Sequence, residues 1–220
     1  MVRQFADPHA FIRELVQNSI DAGATAIEIH LSYAGGAAAV AVHDDGSGMT
    51  RAIIEGPLLT LFSSAKDGDA SKIGKYGVGF VSVLALEPDE VVVETWCGDE
   101  DHRLRIGLDH AYELAECDQP RATPTGTIVS LDKTMAADDY DDLVVALRAA
   151  ARRWCRHAHL PITLVAHAGD GVTRERIDEP LAVDTAFVLR AATGTTRIVA
   201  GPAPIVTLGD ELAGPSFGGF

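Results

Sequence analysis

Glu14 and Asn18 stand four residues apart in "FIRELVQNSIDAGAT", residues 11–25, and Asp21 follows three residues later. On a helix turning about 100° per residue, Glu14 and Asn18 lie roughly 40° apart. They form a polar stripe beside the apolar face of Phe11, Ile12, Leu15, Val16 and Ile20, while Arg13 and Gln17 take the solvent side. The asparagine amide offers a hard, neutral oxygen of the kind magnesium accepts. Magnesium keeps several waters and is held by few protein groups plus substrate phosphates. A carboxylate one turn earlier can orient and deprotonate a water aimed at a phosphoryl group. Glu14 as the metal ligand itself is the weaker alternative, because a carboxylate there would repel the phosphates. Asp21 braces either the pocket or the helix end.

Two further motifs follow in order. "DDGSGM" carries Asp44, Gly46, Gly48 and Met49 at the end of an apolar run. A carboxylate accepts hydrogen bonds and donates none. Asp44 therefore suits the exocyclic amino group of adenine and rejects the oxygen that guanine presents there. Gly46 and Gly48 let a ring approach the backbone, and Met49 gives it a soft apolar wall. "GKYGVGF" then places Gly74, Gly77 and Gly79 before a helix, with Phe80 behind them. Their amides and the helix start suit phosphates. Lys66, Lys72 and Lys75 concentrate positive charge in the same loop, and at least one reaches a phosphate. Each motif alone is common: a chance helix pair, a generic turn or part of a calcium loop, a helix cap. Their succession carries the argument. The glycine order is not that of a dinucleotide fold, no phosphate-loop signature exists, and Ser63, Ser64 and the histidines give no triad or zinc spacing.

The elements that must hold these residues are legible in outline. Residues 8–22 read as a helix with Asp7 as N-cap, Pro8 at the first position and Gly23 as the stop. "TAIEIHLSY" and "AAAVAVHD" read as a hairpin around "AGG". Residues 51–62 look helical, with a break at Gly56-Pro57. "VGFVSVLALE" reads as a buried helix starting near Gly79. "EVVVETWC" and "HRLRIGLD" are strands about the turn "GDED". "AYELAECDQPRATPTG" reads as a connector, and "GTIVSLD" and "LPITLVA" as strands. Between those last two, residues 138–158 form a helix whose Leu143, Leu147, Ala150, Trp154 and Ala158 share a face. Arg148, Arg152 and Arg156 form a basic stripe on it, read as solvated, and its first turn is acidic, as suits the helix dipole. "GDGVTRERIDEP" is a linker or strand. The texture then turns to short apolar runs rich in Gly and Pro.

The totals bound the class. The chain has 220 residues, 47% apolar and 23% charged, enough for one domain and part of another. A net charge of −14 disfavours non-specific binding of nucleic acid or anionic lipid by this stretch. Three widely spaced cysteines, Cys97, Cys117 and Cys155, suggest reduced thiols. No secretory leader is legible and no apolar run approaches a membrane span, so the cytoplasm is expected.

Taken together, "PHAFIRELVQNSIDA" and "IGKYGVGFVSV" resemble the ATP-binding domain of the GHKL superfamily, which includes gyrase, the ninety-kilodalton heat-shock chaperone, histidine kinases and MutL. The chaperone is closest, "GTIVSL" and "LPITLV" match its late strands, and "ELVQNSIDAGATAIEIHL" also resembles MutL. The resemblance covers roughly residues 8–166. It implies an α/β (α+β) two-layer sandwich, the Bergerat fold: a mixed, mainly antiparallel sheet with helices on one face. It implies Glu14 as general base, Asn18 as magnesium ligand and Asp44 as adenine reader, with Gly48 and Met49 lining the base pocket. Lys66 sits like the chaperone's lid lysine. Gly77, Gly79 and Phe80 would contact phosphates, with Gly74 and Val78 in the same ATP-binding segment, and Thr127 would support adenine through water.

The expectation is therefore an ATP-binding domain over residues 1–170 and the start of a middle domain over 171–220. ATP and magnesium are the expected cofactors, and the expected activity is slow hydrolysis driving lid and domain closure. A protein client and a homodimer formed through regions beyond this stretch are the expected partners. The chaperone's longer N-terminal segment, exchanged between protomers, has no counterpart in the 13 residues before Glu14. A MutL-like repair or defence ATPase and a non-hydrolysing nucleotide switch are the alternatives. A histidine kinase would need a phospho-acceptor helix pair, which the chain does not carry.

Overall fold

The computed structural model describes residues 7–60, 78–109, 111–117, 124–168, 171–179, 189–193 and 196–200. The chain divides into two units, Met1–Glu179 and Pro180–Phe220.

The first unit opens with α1, Phe11–Asp21. Phe11, Ile12, Leu15 and Val16 are buried along its inner stripe. The helix starts later than expected, because residues 8–10 form a turn of their own. Asp7 Oδ1 accepts from the His9 amide at 2.9 Å and so closes that turn and not the helix. Gly23, at φ +75°, ends α1 in the left-handed conformation while its amide returns to Ile20 O at 2.9 Å.

β1 (Ile27–Ala34) and β2 (Ala37–Asp44) form the expected hairpin. α2 begins with an α turn, Arg51–Ile53, and widens into a π turn, Ile54–Leu58. Pro57 lies inside that turn, so the expected break at Gly56-Pro57 is instead a local widening, one way to absorb a missing N–H. α3 is α-helical over Val78–Val81 and tightens to 3-10 over Ser82–Leu86. β3 (Glu90–Cys97) and β4 (Glu100–Gly107) form a second hairpin. A short strand, β5 (Tyr112–Ala115), follows inside the stretch read as a connector. Then come β6 (Gly126–Thr134), α4 (Ala137–Cys155), β7 (Ile162–Ala168) and β8 (Gly171–Arg176). β8 pairs with β7, so the first unit runs past the boundary expected near residue 170.

The eight strands make one sheet in the order β5-β4-β3-β6-β2-β1-β7-β8. Among the described residues only the β1–β7 pair is parallel; the other pairs are antiparallel. Strand alternation separates two faces. Ile27, Ile29 and Leu31 share one face with Val40, Val42, Val129, Leu131, Val91, Val93 and Leu104, all buried. α1 packs on β2 and α4 on β1 and β7, and α1 also touches α3 and α4. The opposite face carries charge: Arg105 pairs with Glu90 at 2.9 Å and Arg103 with Glu94 at 3.6 Å. The result is the expected two-layer α/β sandwich with a mixed, mainly antiparallel sheet.

The arginine stripe of α4 is not simply solvated. Arg148 and Arg152 reach Glu175 of β8 at 2.9 and 2.6 Å, and Arg156 reaches Glu179 at 2.7 Å. Among the described residues no helix is long and apolar enough to cross a membrane. In the second unit, β9 (Leu189–Thr193) and β10 (Thr196–Ala200) form an antiparallel pair.

Candidate functional site

The core-facing row at one end of the sheet turns polar. Register places Asp44 of β2 beside Thr127 of β6, and Thr127 beside Thr95 of β3. All three are buried, at 7%, 8% and 0% exposure, in a face otherwise filled by Val, Ile and Leu. Buried polar groups require partners, and these have them. Asp44 Oδ2 accepts from Ser19 Oγ of α1 at 2.9 Å. Its Oδ1 accepts from the amides of Gly46 at 2.9 Å and Thr127 at 3.2 Å. Thr95 Oγ1 accepts from the Met49 amide at 2.8 Å.

A cavity of about 480 Å³ opens above this row. α1 forms one wall with Glu14, Gln17, Asn18 and Asp21; Asp44, Gly48, Met49 and Thr127 line it from the sheet side; Ile53, Pro57 and Leu58 of α2 and Gly79 and Phe80 of α3 complete it. Apolar walls with a few convergent polar groups are the usual character of a small-molecule site.

The glycines of "DDGSGM" are required by contact. Gly48 has φ +70°, and a Cβ there would run into the Trp96 carbonyl of β3. A Cβ on Gly46 would meet Ala22 Cβ at 2.9 Å, so the loop presses against the end of α1. Gly79 lies against Glu14 so closely that a Cβ would collide with Glu14 Oε2. Glu14 is half-buried, and Arg13 donates to its Oε1 through Nε at 2.8 Å and also through Nη2. The same guanidinium lies over the Trp154 ring of α4, 5.2 Å from its centroid. Asn18 is exposed to the cavity one turn on. Asp21 accepts from Gln17 Nε2 at 2.7 Å, so it braces the cavity rim through its own helix.

Eight of the expected residues thus line one space: Glu14, Asn18, Asp44, Gly48, Met49, Gly79, Phe80 and Thr127; Val78 is the first residue of α3. Lys66, Lys72, Lys75, Gly74 and Gly77 lie outside the described residues. Sequence reasoning missed Ser19 and Thr95. Each interrupts an apolar stripe, Ser19 after Ile12, Leu15 and Val16 and Thr95 after Val91 and Val93. A polar residue in a core-facing register was the available signal.

The donor set suits a magnesium ion shared with phosphates. Asn18 offers one neutral oxygen into the cavity, and among the described residues no group of three or more His, Cys, Asp or Glu side chains is placed to cage a metal. A neutral amide oxygen is a ligand that a magnesium ion held mainly by phosphate oxygens and water would accept.

A family model described as "Histidine kinase-, DNA gyrase B-, and HSP90-like ATPase" matches residues 7–126. The chaperone protein HtpG of Methylococcus capsulatus is 26% identical over 197 residues, covering 76% of this chain and 30% of that protein. The DNA mismatch repair protein MutL of Anaeromyxobacter dehalogenans is 31% identical over 191 residues, covering 84% of this chain and 28% of that protein. MutL of Thermosipho africanus is 36% identical over 124 residues, covering 50% and 21%. The chain spans less than a third of the length of these relatives.

Proposed function

From a chain that belongs to the histidine kinase-, DNA gyrase B- and HSP90-like ATPase family, and so carries an ATP-binding domain, we propose Mg-dependent ATP binding followed by slow hydrolysis that drives closure in a chaperone-like ATPase. The observation that carries this reading is the convergence of Glu14, Asn18 and Asp44 on one cavity. Asp44 accepts the adenine amino group, its charge already oriented by Ser19 and two amides. Met49, Phe80, Leu58 and Ile53 supply the apolar walls for the ring. Asn18 holds the magnesium ion, which neutralises phosphate charge when bound. Glu14 takes the proton of the attacking water. Its Oε1 is engaged by Arg13, so Oε2, beside Gly79, is the oxygen that addresses the water.

A MutL-like repair ATPase is the second reading. It is favoured by the 31% identity to MutL across 84% of this chain. The two separate in one assay. Steady-state ATP hydrolysis by the full-length protein is measured alone, with duplex DNA and with an unfolded client protein. Stimulation by client alone supports the chaperone-like role, and stimulation by DNA alone replaces it with the repair role.

A further inference from the structure

We infer that Thr95 is a positioning residue that sets whether the floor of the base pocket donates or accepts, and so contributes to the choice of adenine over guanine. The inference rests on the ATP reading of the cavity. Thr95 is fully buried at the end of β3, and its hydroxyl stands between three groups. Its Oγ1 accepts from the Met49 amide at 2.8 Å. It lies 3.2 Å from Gly126 O and 3.1 Å from Thr127 Oγ1. A threonine hydroxyl has one proton and two lone pairs. Met49 occupies one lone pair, so the single proton goes either to Gly126 O or to Thr127.

The two arrangements present different chemistry to the cavity. When Thr95 donates to Gly126 O, the Thr127 hydroxyl donates to Thr95 and offers the cavity lone pairs only. When Thr95 donates to Thr127, the Thr127 proton is released toward the cavity that Thr127 lines. Asp44 next to it is an acceptor, fixed by three donors of its own. Acceptor beside donor matches the adjacent amino group and ring nitrogen of adenine. Guanine, with a carbonyl oxygen and a ring N–H in those places, meets the wrong partner twice. Thr95 also fixes the loop that bears Met49. Gly48, next to Met49, is closed to any side chain: a Cβ there would run into the Trp96 carbonyl and come within 3.2 Å of Thr95 Oγ1. One hydroxyl thus sets both the proton order of the floor and the position of one wall.

The test is calorimetric titration of the folded chain with Mg-ATP and Mg-GTP, for the wild type, Thr95→Val and Thr95→Ser, with kcat measured in parallel. Thr95→Val keeps the volume and removes the hydroxyl. It is expected to weaken ATP about tenfold, to weaken GTP less, and to leave kcat at saturation within about twofold. Thr95→Ser is expected to restore both affinity and discrimination. A purely structural residue would lower the melting temperature and leave the ATP-to-GTP ratio unchanged. Wild-type values for both nucleotides in Thr95→Val, or equal losses of the two, overturn the inference while the ATP site stands. No ATP binding by the wild type overturns the ATP reading and this inference together. If Thr95→Val does not fold, Thr127→Val replaces it, and unchanged discrimination there overturns the inference.

Discussion

Glu14 meets Gly79 on one side and Arg13 on the other, and those two contacts fix where its carboxylate can point. Glu14→Ala removes the proposed base without touching Asp44 or the apolar walls. The variant is expected to bind ATP with wild-type affinity and to lose hydrolysis by on the order of 100-fold or more; a phosphate-release assay beside calorimetry reads both. Gly79→Ala pushes a methyl group into the space of Glu14 Oε2. The side chain can swing away, so folding survives, but the base is misdirected: kcat should fall about tenfold or more with little change in ATP affinity. Gly48→Ala is different in kind. The new Cβ meets a backbone carbonyl at φ +70°, and nothing flexible can yield. Thermal unfolding should show a loss of about 2 kcal/mol or more.

At the scale of elements, α4 is tied along its C-terminal half. Arg148, Arg152 and Arg156 hold Glu175 and Glu179, and Trp154 receives Arg13 from α1. The Arg152 and Glu175 side chains are 50% and 27% exposed, so solvent screens the pair. A double-mutant cycle on it should return below about 1 kcal/mol, shrinking further in high salt. Asp178 sits where β7 begins. Burial pushes its carboxyl up, but hydrogen bonds from Arg176 and the Ile162 amide, with the Arg176 charge, outweigh that and hold it below the ordinary 3.8. A carboxyl lowered by folding stabilises the fold above the unfolded-state value and loses that contribution as pH falls through the folded value. The melting temperature of the wild type should exceed that of Asp178→Asn near neutrality, and the gap should close below pH of about 4.

The elements show why some of this was legible and some was not. α1, the first hairpin and α4 announce themselves through sustained periodicity, and the site residues of α1 follow from their spacing alone. β5 is four residues long and almost wholly exposed, so it carries no apolar alternation to read. Pro57 argued for a break because local rules hold no record of a helix that widens around it. The arginine stripe looked solvated because its partners, Glu175 of β8 and Glu179 just beyond that strand, are brought alongside only by the fold. Thr95 and Ser19 went unread for the same reason: their partners Thr127 and Asp44 are 32 and 25 residues away in sequence.

On the whole molecule, a chain of net charge −14 holds an anion-binding cavity whose described walls contribute Glu14, Asp21 and Asp44. On the proposed reading a magnesium ion bound with the phosphates would balance that charge. ATP affinity should therefore collapse when magnesium is chelated, by far more than neutral-wall contacts could explain, and titration with and without EDTA checks this. The chain spans less than a third of the length of its chaperone and repair relatives. All of it depends on Asp44 reading adenine. The decisive measurement is the dissociation constant of Mg-ATP for the wild type and Asp44→Asn, each against Mg-GTP. The amide puts a donor where Ser19, Gly46 and Thr127 already donate. The account predicts ATP well ahead of GTP for the wild type and a loss of about 3 kcal/mol, roughly 100-fold, in the variant. Equal affinity of the wild type for ATP and GTP, or an unchanged ATP affinity in Asp44→Asn, would contradict it.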